Sequence, residues 1–177
     1  MPVYIAMLRG INVSGQKKVP MKDLRGLMEG EGLENVETYI QSGNIIFKYK
    51  KTKVESLTSL IEKAISKHFH FDVPVIIRTP AELKEVLKDN PFKGKEENRL
   101  YITFLDQEPS IEKIEKLKEA DYSPEEYNIE GTNIYFYAPE GYGNAKMNNN
   151  LFENKLKVKA TTRNWKTVNV LAEMGEE

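Results

Sequence analysis

Apolar and polar positions follow a regular order along the first half of the chain. The apolar run Val3–Leu8 predicts a buried strand, and a polar, glycine-containing loop follows it over residues 9–18. The pattern after this loop predicts a helix, a hairpin, a second helix and a last strand. These segments lie near residues 20–29, 36–49, 52–69 and 73–78. Strand, helix, strand, strand, helix, strand is the order of a split βαβ unit.

The same order begins again in the second half. The pattern predicts a strand over residues 99–105, a helix capped by Ser110, and a hairpin over residues 125–138 that turns at Gly131-Thr132. Two further helices are predicted near residues 148–157 and 163–174. We therefore expect an α+β fold with two ferredoxin-like (split βαβ) subdomains in one compact chain, with C-terminal helices. The expected parts are a first subdomain, a helical connector and a second subdomain, at residues 1–79, 80–98 and 99–177.

Two Thr-x-x-Glu patterns predict capping boxes at helix starts. The first joins Thr52 to Glu55, and the second joins Thr79 to Glu82, with Pro80 at the first helical position. The two helices are expected to begin at these residues.

Composition narrows the class of protein. The chain has 177 residues, of which 40% are hydrophobic and 30% are charged, with 26 Lys plus Arg against 27 Asp plus Glu. Such a balance is typical of a soluble globular protein, and near neutrality weakens a nucleic-acid interpretation. The lack of cysteine excludes disulfides and a thiolate nucleophile, and it is compatible with the cytoplasmic location that we expect. Apolar runs of about six residues are too short to span a bilayer, so no membrane partner is expected.

The predicted topology brings separate polar segments together. In a split βαβ unit the first two strands are parallel and the third lies between them. The loop over residues 9–18 and the turn Ser42–Asn44 should therefore be neighbours. The second helix should end at the same edge, which brings the region of His68 and His70 towards the loop.

The loop after the first strand is the strongest candidate for a binding site. Glycines such as Gly10 free backbone amides to bind an anion, and the next helix offers its N-terminus. We expect Arg9 to make a bidentate charge contact, Asn12 and Asn44 to orient the ligand, and Gln41 and Ser42 to add hydrogen bonds. The segment misses the phosphate-binding P-loop pattern, because Gln16 and Lys17 stand where Lys and Ser or Thr are required. The alternative is an ordinary strand-to-helix connection in which these residues only stabilise turns.

A second candidate segment is Thr161–Thr167, which contains the only tryptophan. Arg163 and Asn164 are expected at a helix N-terminus, where an anion is favoured, and Trp165 is expected to form an apolar wall. We expect this segment and the loop after the first strand to form one polar pocket for a small phosphate- or carboxylate-bearing ligand. The simpler alternative places Trp165 on the buried face of the last helix, with Val168, Leu171 and Ala172.

No residue pattern identifies a reaction. Ser42 has no recognisable base beside it, and the sequence shows no catalytic triad or acid/base pair. His68 and His70 are two residues apart, a spacing that does not place them on one helix face, so no metal site is expected. Whether the protein is an enzyme, which cofactor it uses and its oligomeric state are left open.

Two other classes of function compete with ligand binding. A nucleic-acid-binding module could use C-terminal lysines and the aromatic residues of predicted strands, namely Phe47, Tyr49, Tyr135 and Tyr137. Residues 106–130 contain nine acidic and three basic side chains, a net of −6, which leaves about +5 on the rest of the chain. Yet no RNP-type motif is present. The third class is a structural or protein-binding role, in which the polar motifs serve caps and turns.

Several ordered motifs resemble the DUF 1697 family, a bacterial domain of unknown function. The motifs are Leu8-Arg-Gly-Ile-Asn-Val13, Pro20-Met21, Tyr39-Ile-Gln-Ser-Gly-Asn44, Arg78-Thr79, Asn90-Pro-Phe92 and Thr162-Arg-Asn-Trp165-Lys-Thr167. The resemblance runs from about residue 3 to residue 174. It implies an α+β fold with ferredoxin-like subdomains and carries over no activity or catalytic residue. Ser14 replaces an expected glycine, and Ala145 replaces an expected serine before Lys146, which argues against Ser-Lys chemistry there.

Overall fold

The computed structural model describes residues 1–176 as an α+β chain with two four-stranded sheets. The predicted second subdomain runs to residue 177, which lies outside the described residues. The elements of the first half are β1 (Val3–Leu8), α1 (Met21–Gly30), β2 (Glu34–Tyr39), β3 (Asn44–Lys48), α2 (Val54–Phe69), β4 (Val75–Arg78) and α3 (Pro80–Asp89). Those of the second half are β5 (Leu100–Leu105), α4 (Ile111–Lys118), β6 (Glu126–Glu130), β7 (Asn133–Tyr137), α5 (Asn149–Leu156), β8 (Ala160–Asn164) and α6 (Trp165–Glu176).

Both sheets have the strand order of the split βαβ unit. The first is ordered β2-β3-β1-β4 and the second β6-β7-β5-β8, and all neighbours are antiparallel. Since β1 and β2 each run antiparallel to β3, they are parallel to each other with β3 between them. The predicted fold class and strand order are confirmed.

The two halves repeat each other at the level of single residues. The sequence Val-Tyr-Ile-Ala-Met-Leu of β1 corresponds to Leu-Tyr-Ile-Thr-Phe-Leu of β5, and Asn-Ile-Ile-Phe-Lys of β3 corresponds to Asn-Ile-Tyr-Phe-Tyr of β7. Register agrees with this correspondence, because Tyr4 pairs with Phe47 in one sheet and Tyr101 pairs with Phe136 in the other. The structure therefore contains two copies of one supersecondary unit.

Strand β8 corrects the prediction of a helix that begins near Arg163. Residues Ala160–Asn164 pair with β5, and the helix begins only at Trp165. The side-chain Oδ1 of Asn164 accepts the N–H of Thr167 at 2.8 Å, which fixes the helix start. Adjacent Thr161 and Thr162 favour extended backbone because their side chains branch at Cβ.

Helix caps agree with two of the three predictions. In the box at α3, the N–H of Glu82 donates to Thr79 Oγ1 at 3.3 Å and the N–H of Thr79 donates to Glu82 Oε1 at 3.2 Å. Ser110 caps α4 by accepting the N–H of Lys113 at 3.3 Å. The box at Thr52 is wrong: Lys53 occupies the cap position of α2 without a side-chain hydrogen bond.

The chain divides into two compact units, each with its own core. The first unit contains Met1–Lys84 together with the chain from Leu171 onward, and the second contains Glu85–Val170. In the first unit, Leu24 and Met28 of α1 and Leu57 and Ile61 of α2 share one buried core with Phe47 of β3, so these helices cover one face of their sheet. In the second unit, α4 and α5 cover one face of their sheet in the same way. The buried side chains there are Leu117 of α4, Phe152 and Leu156 of α5, and Ile134 and Phe136 of β7.

Candidate functional site

The loop after β1 lies beside the turn that precedes β3, as predicted. The backbone N–H of Leu8 donates to the carbonyl of Gly43 at 2.8 Å. The side-chain amide of Asn12 donates to the carbonyl of Gln41 at 2.8 Å. Arg9 and Ser42 therefore belong to two segments at the same edge of the sheet.

The loop folds back on itself as a small hairpin. The N–H of Asn12 donates to the carbonyl of Lys17 at 3.0 Å, and the N–H of Gln16 donates to the carbonyl of Val13 at 2.9 Å. At the tip, Ser14 and Gly15 have φ angles of 51° and 72°. Two successive left-handed residues characterise the type I′ turn of tight hairpins.

The end of α2 approaches the loop, as the topology predicted. The ammonium of Lys17 donates to the carbonyl of Asp72 at 2.9 Å, and the N–H of Arg9 donates to the carbonyl of Pro74 at 3.0 Å. His70 ends α2 in the left-handed conformation, with its N–H donating to the carbonyl of Ser66 at 2.9 Å.

Asn12 and Asn44 both have structural partners. Asn12 donates to the carbonyls of Val19 and Gln41 and accepts the N–H of Val19, at distances of 2.8 to 3.0 Å. Asn44 is fully buried and donates to the carbonyl of Tyr39 at 2.9 Å and to Ser42 Oγ at 3.2 Å. These contacts favour the alternative in which the polar motif mainly stabilises turns. Ligand contacts by Asn12 and Asn44 stay a prediction.

Arg163 was expected at a helix N-terminus with its guanidinium available to a ligand, but it is a buried residue of β8. The residue is 7% exposed, and its Nη1 donates to Thr161 Oγ1 at 3.0 Å and to the carbonyl of Thr162 at 3.1 Å. Burial lowers the pKa of Arg163 to about 10, with a smaller opposite effect from Tyr142. The guanidinium therefore binds polar groups of β8 itself and stabilises this strand in the second unit.

Asn164 and Trp165 line a cavity of about 490 Å³ in the second unit. Trp165 is otherwise well buried, and Val168, Leu171 and Ala172 are buried with it, as the simpler interpretation of the last helix expected. The cavity is also lined by Glu97, Tyr101, Lys166 and Asn169. It combines two aromatic rings with amide groups and a lysine.

A second cavity of about 570 Å³ adjoins the first. The two share Glu97, Trp165 and Asn169 as walls. The second cavity adds Lys88 and Lys93, with the backbone of Gly94 and the apolar residues Leu87 and Leu100. An aromatic cavity thus lies next to a basic one.

Sequence reasoning missed most residues of these cavities. Tyr101 belongs to the site because β8 pairs it with Asn164 in register, and β8 was not predicted. Asn169 could have been found, since it lies four residues after Trp165 and therefore on the same helix face. Glu97 and Asn98 lie in the 3-10 helix Glu97–Arg99, whose three residues are too few to show a periodic pattern.

Of the four aromatic residues expected to stack nucleic-acid bases, two are buried and two are half-buried. Phe47 and Tyr135 are buried, and Tyr137 lies under the ammonium of Lys95 at 4.8 Å from its ring centre. Tyr49 is partly buried against the core of the first unit. Phe47 and Tyr135 are therefore not placed to stack on bases, and nucleic-acid binding stays a prediction.

Residues 1–176 contain neither a metal-binding cluster nor a membrane-spanning helix. No three His, Asp or Glu side chains there are placed to hold a metal ion together. No helix in this range has both the length and the apolar character needed to cross a bilayer.

These features define an α+β protein with two ferredoxin-like repeats and a ligand-sized cavity in the second. The chain belongs to the family described as "Protein of unknown function (DUF1697)", whose model matches residues 1–135. The motif Thr162–Thr167 lies beyond the matched residues. The chain is also similar to the solved structure of the conserved bacterial protein SP0830 from Streptococcus pneumoniae, with 26% identity, coverage of 100% of this chain and 99% of that chain, and a TM-score of 0.81. No curated protein matches the sequence.

Proposed function

We propose that the protein binds a small anionic ligand that carries a phosphate or carboxylate group. The observation that supports this proposal is the cavity of about 490 Å³ lined by Asn164 and Trp165. Its volume lies within the range of roughly 300 to 1,000 Å³ typical of small-molecule sites. Aromatic walls supply contact area, and the amides supply directional hydrogen bonds.

Positive charge at this cavity comes from two sources. Lys166 is exposed and lines the cavity. Helix α6 begins at Trp165, and the N-terminus of a helix carries a partial positive charge. Glu97, the acidic residue of the lining, opposes an anion close to its own carboxylate. Lys166 therefore supplies positive charge that attracts an anionic ligand to this cavity.

We also propose that the loop after β1 contacts an anion. Arg9 is half-buried there, and exposed Gln41 and half-buried Ser42 lie on the neighbouring turn. Because this surface belongs to the first unit, its contribution is tested with a separate variant, Arg9→Ala.

Fluorescence of Trp165 gives a direct test, because it is the only tryptophan in the chain. The full chain is titrated with inorganic phosphate, sugar phosphates, dicarboxylates and nucleotides. We expect at least one anion to change the emission saturably, and we expect Lys166→Gln to weaken that binding about tenfold. Lys159→Gln, which changes another exposed lysine, should leave affinity unchanged.

Thermal unfolding with the same compounds supplies an independent readout, because a ligand that binds only the folded state raises stability. Arg9→Ala should reduce the stabilisation if the loop after β1 contributes. A chain that neither changes emission nor gains stability with any anion at millimolar concentration contradicts the proposal. A cytoplasmic location stays a prediction.

A further inference from the structure

Two of the three asparagines that line the first cavity, Asn164 and Asn169, present opposite hydrogen-bonding groups to a ligand. Asn164 uses its Oδ1 to accept the N–H of Thr167 at 2.8 Å. Asn169 uses its Nδ2 to donate to the carbonyl of Trp165 at 2.8 Å. A backbone N–H only donates and a carbonyl only accepts, so these partners fix how each amide is turned. Asn164 therefore retains a donor, and Asn169 retains an acceptor.

A donor and an acceptor in one cavity complement a ring edge that offers the reverse pair. Nucleobases carry such edges, with a ring nitrogen or carbonyl oxygen next to an N–H group. The rings of Tyr101 and Trp165 line the same cavity and can contact the flat face of a heterocycle. Aromatic walls and paired amides thus favour a planar nitrogen heterocycle over a simple carboxylate.

Charge in the adjoining cavity favours a phosphate. Lys88 and Lys93 line that cavity, and neither ammonium has an ion-pair partner within the described part of the chain. Gly94 has a φ of +100° and carries no side chain, so the backbone is open to a ligand at this point. Two lysines on one cavity supply a site for a dianion.

Glu97 lies on the wall that the two cavities share. Its carboxylate repels a phosphate placed against it and accepts hydrogen bonds from hydroxyl groups. A sugar between the ring and the phosphate would place hydroxyl groups near the Glu97 carboxylate and keep the phosphate away from it.

We propose that the ligand is a nucleoside monophosphate, with its base against Tyr101 and Trp165 and its phosphate near Lys88 and Lys93. This inference rests on the proposed function and names the ligand class for the same site. The proposal concerns binding of the nucleotide and includes no chemical reaction.

The test compares nucleoside monophosphates with the matching nucleosides, ribose 5-phosphate and inorganic phosphate, using Trp165 emission and calorimetry. At least one monophosphate should bind about tenfold more tightly than its nucleoside and than ribose 5-phosphate. The double variant Lys88→Gln, Lys93→Gln should weaken binding of the monophosphate about tenfold and leave nucleoside affinity unchanged. Lys113→Gln with Lys116→Gln, which removes two lysines of α4, is the matched control.

Asn164→Ser tests base recognition without removing the helix cap, because serine is itself a good cap residue. We expect about a tenfold loss of nucleoside affinity at an unchanged melting temperature. If anions bind without any preference for a base, the nucleotide inference is overturned and the proposed function stands. If no anion binds, both are overturned, and binding of short single-stranded RNA alone also overturns the inference.

Discussion

Arg78 and Arg163 occupy the same position in the two repeats. Arg78 pairs with Ile5, the third residue of β1, and Arg163 pairs with Ile102, the third residue of β5. Each arginine is 7% exposed, and each donates from Nη1 to the carbonyl of the preceding residue at 3.1 Å. A buried arginine at the end of the fourth strand is therefore a feature of the repeat itself.

Replacing Arg163 by lysine should destabilise the protein. The planar guanidinium donates at once to Thr161 Oγ1 and to the carbonyl of Thr162, whereas an ammonium on a flexible chain cannot reproduce this geometry. We expect Arg163→Lys to lower the free energy of unfolding by about 1 to 3 kcal/mol, measured by urea denaturation. The control Arg25→Lys changes an exposed arginine paired with Glu29 and should cost less than about 0.5 kcal/mol. Equal effects of the two substitutions would show that burial of Arg163 is unimportant.

Gly43 should tolerate no side chain. A Cβ at this position would lie 2.5 Å from Ile11 Cδ1 and 3.0 Å from Leu8 Cβ, and the φ of +88° disfavours any L-residue. We expect Gly43→Ala to cost about 2 to 4 kcal/mol in urea denaturation. Gly131→Ala, in the corresponding turn of the second repeat, meets no atom within 4 Å and should cost only about 1 kcal/mol. The prediction is refuted if the two variants are equally stable.

Ser14 should gain stability when it is replaced by glycine. The residue has a φ of 51° at the exposed tip of the loop after β1, a conformation that glycine adopts without strain. Ser14→Gly should raise the free energy of unfolding by about 0.5 to 1 kcal/mol. Ser59→Gly within α2 should instead lower it by roughly 0.5 kcal/mol, because glycine disfavours helix interiors. A loss of stability in both variants would contradict the assigned strain.

Alkaline pH should destabilise the protein through Tyr135. Burial, followed by the charges of Glu130, Asp89 and Glu85, raises the pKa of Tyr135 to about 12. Above pH 10 the unfolded chain releases this proton while the folded chain keeps it, so stability falls as pH rises towards 12. Tyr135→Phe removes this contribution, and its free energy of unfolding should fall less steeply by up to about 1.4 kcal/mol per pH unit. The two proteins should show parallel curves from pH 7 to 9, and parallel curves up to pH 12 would disprove the assignment.

The sequence predicted most of the fold because its signals are local. Apolar runs, alternating positions and turn residues identified seven of the eight strands and the order of both repeats. The eighth strand, β8, was missed because Ala160–Asn164 is short and mixed in polarity. Its extended form is stabilised by pairing with β5, a distant segment that no local pattern reveals.

The candidate site was predicted less well, for a related reason. Residue type alone did not show whether a polar side chain faces a ligand or a neighbouring turn. Asn12 and Asn44 proved to bind backbone carbonyls, whereas Asn164 caps α6 and also lines a cavity. Lys88, Lys93 and Asn169 reach the cavities from α3, the following loop and α6, a convergence that only the tertiary structure shows.

The first unit is discontinuous, since it includes the end of α6 as well as Met1–Lys84. Within that unit, a Cβ added to Gly175 would lie 2.8 Å from Pro80 Cγ and 3.3 Å from Ile5 Cδ1, so the helix backbone packs closely there. During synthesis on the ribosome, β1 and Pro80 are made long before this helix. The first repeat can form its sheet early, but it cannot complete its packing until α6 has also been made.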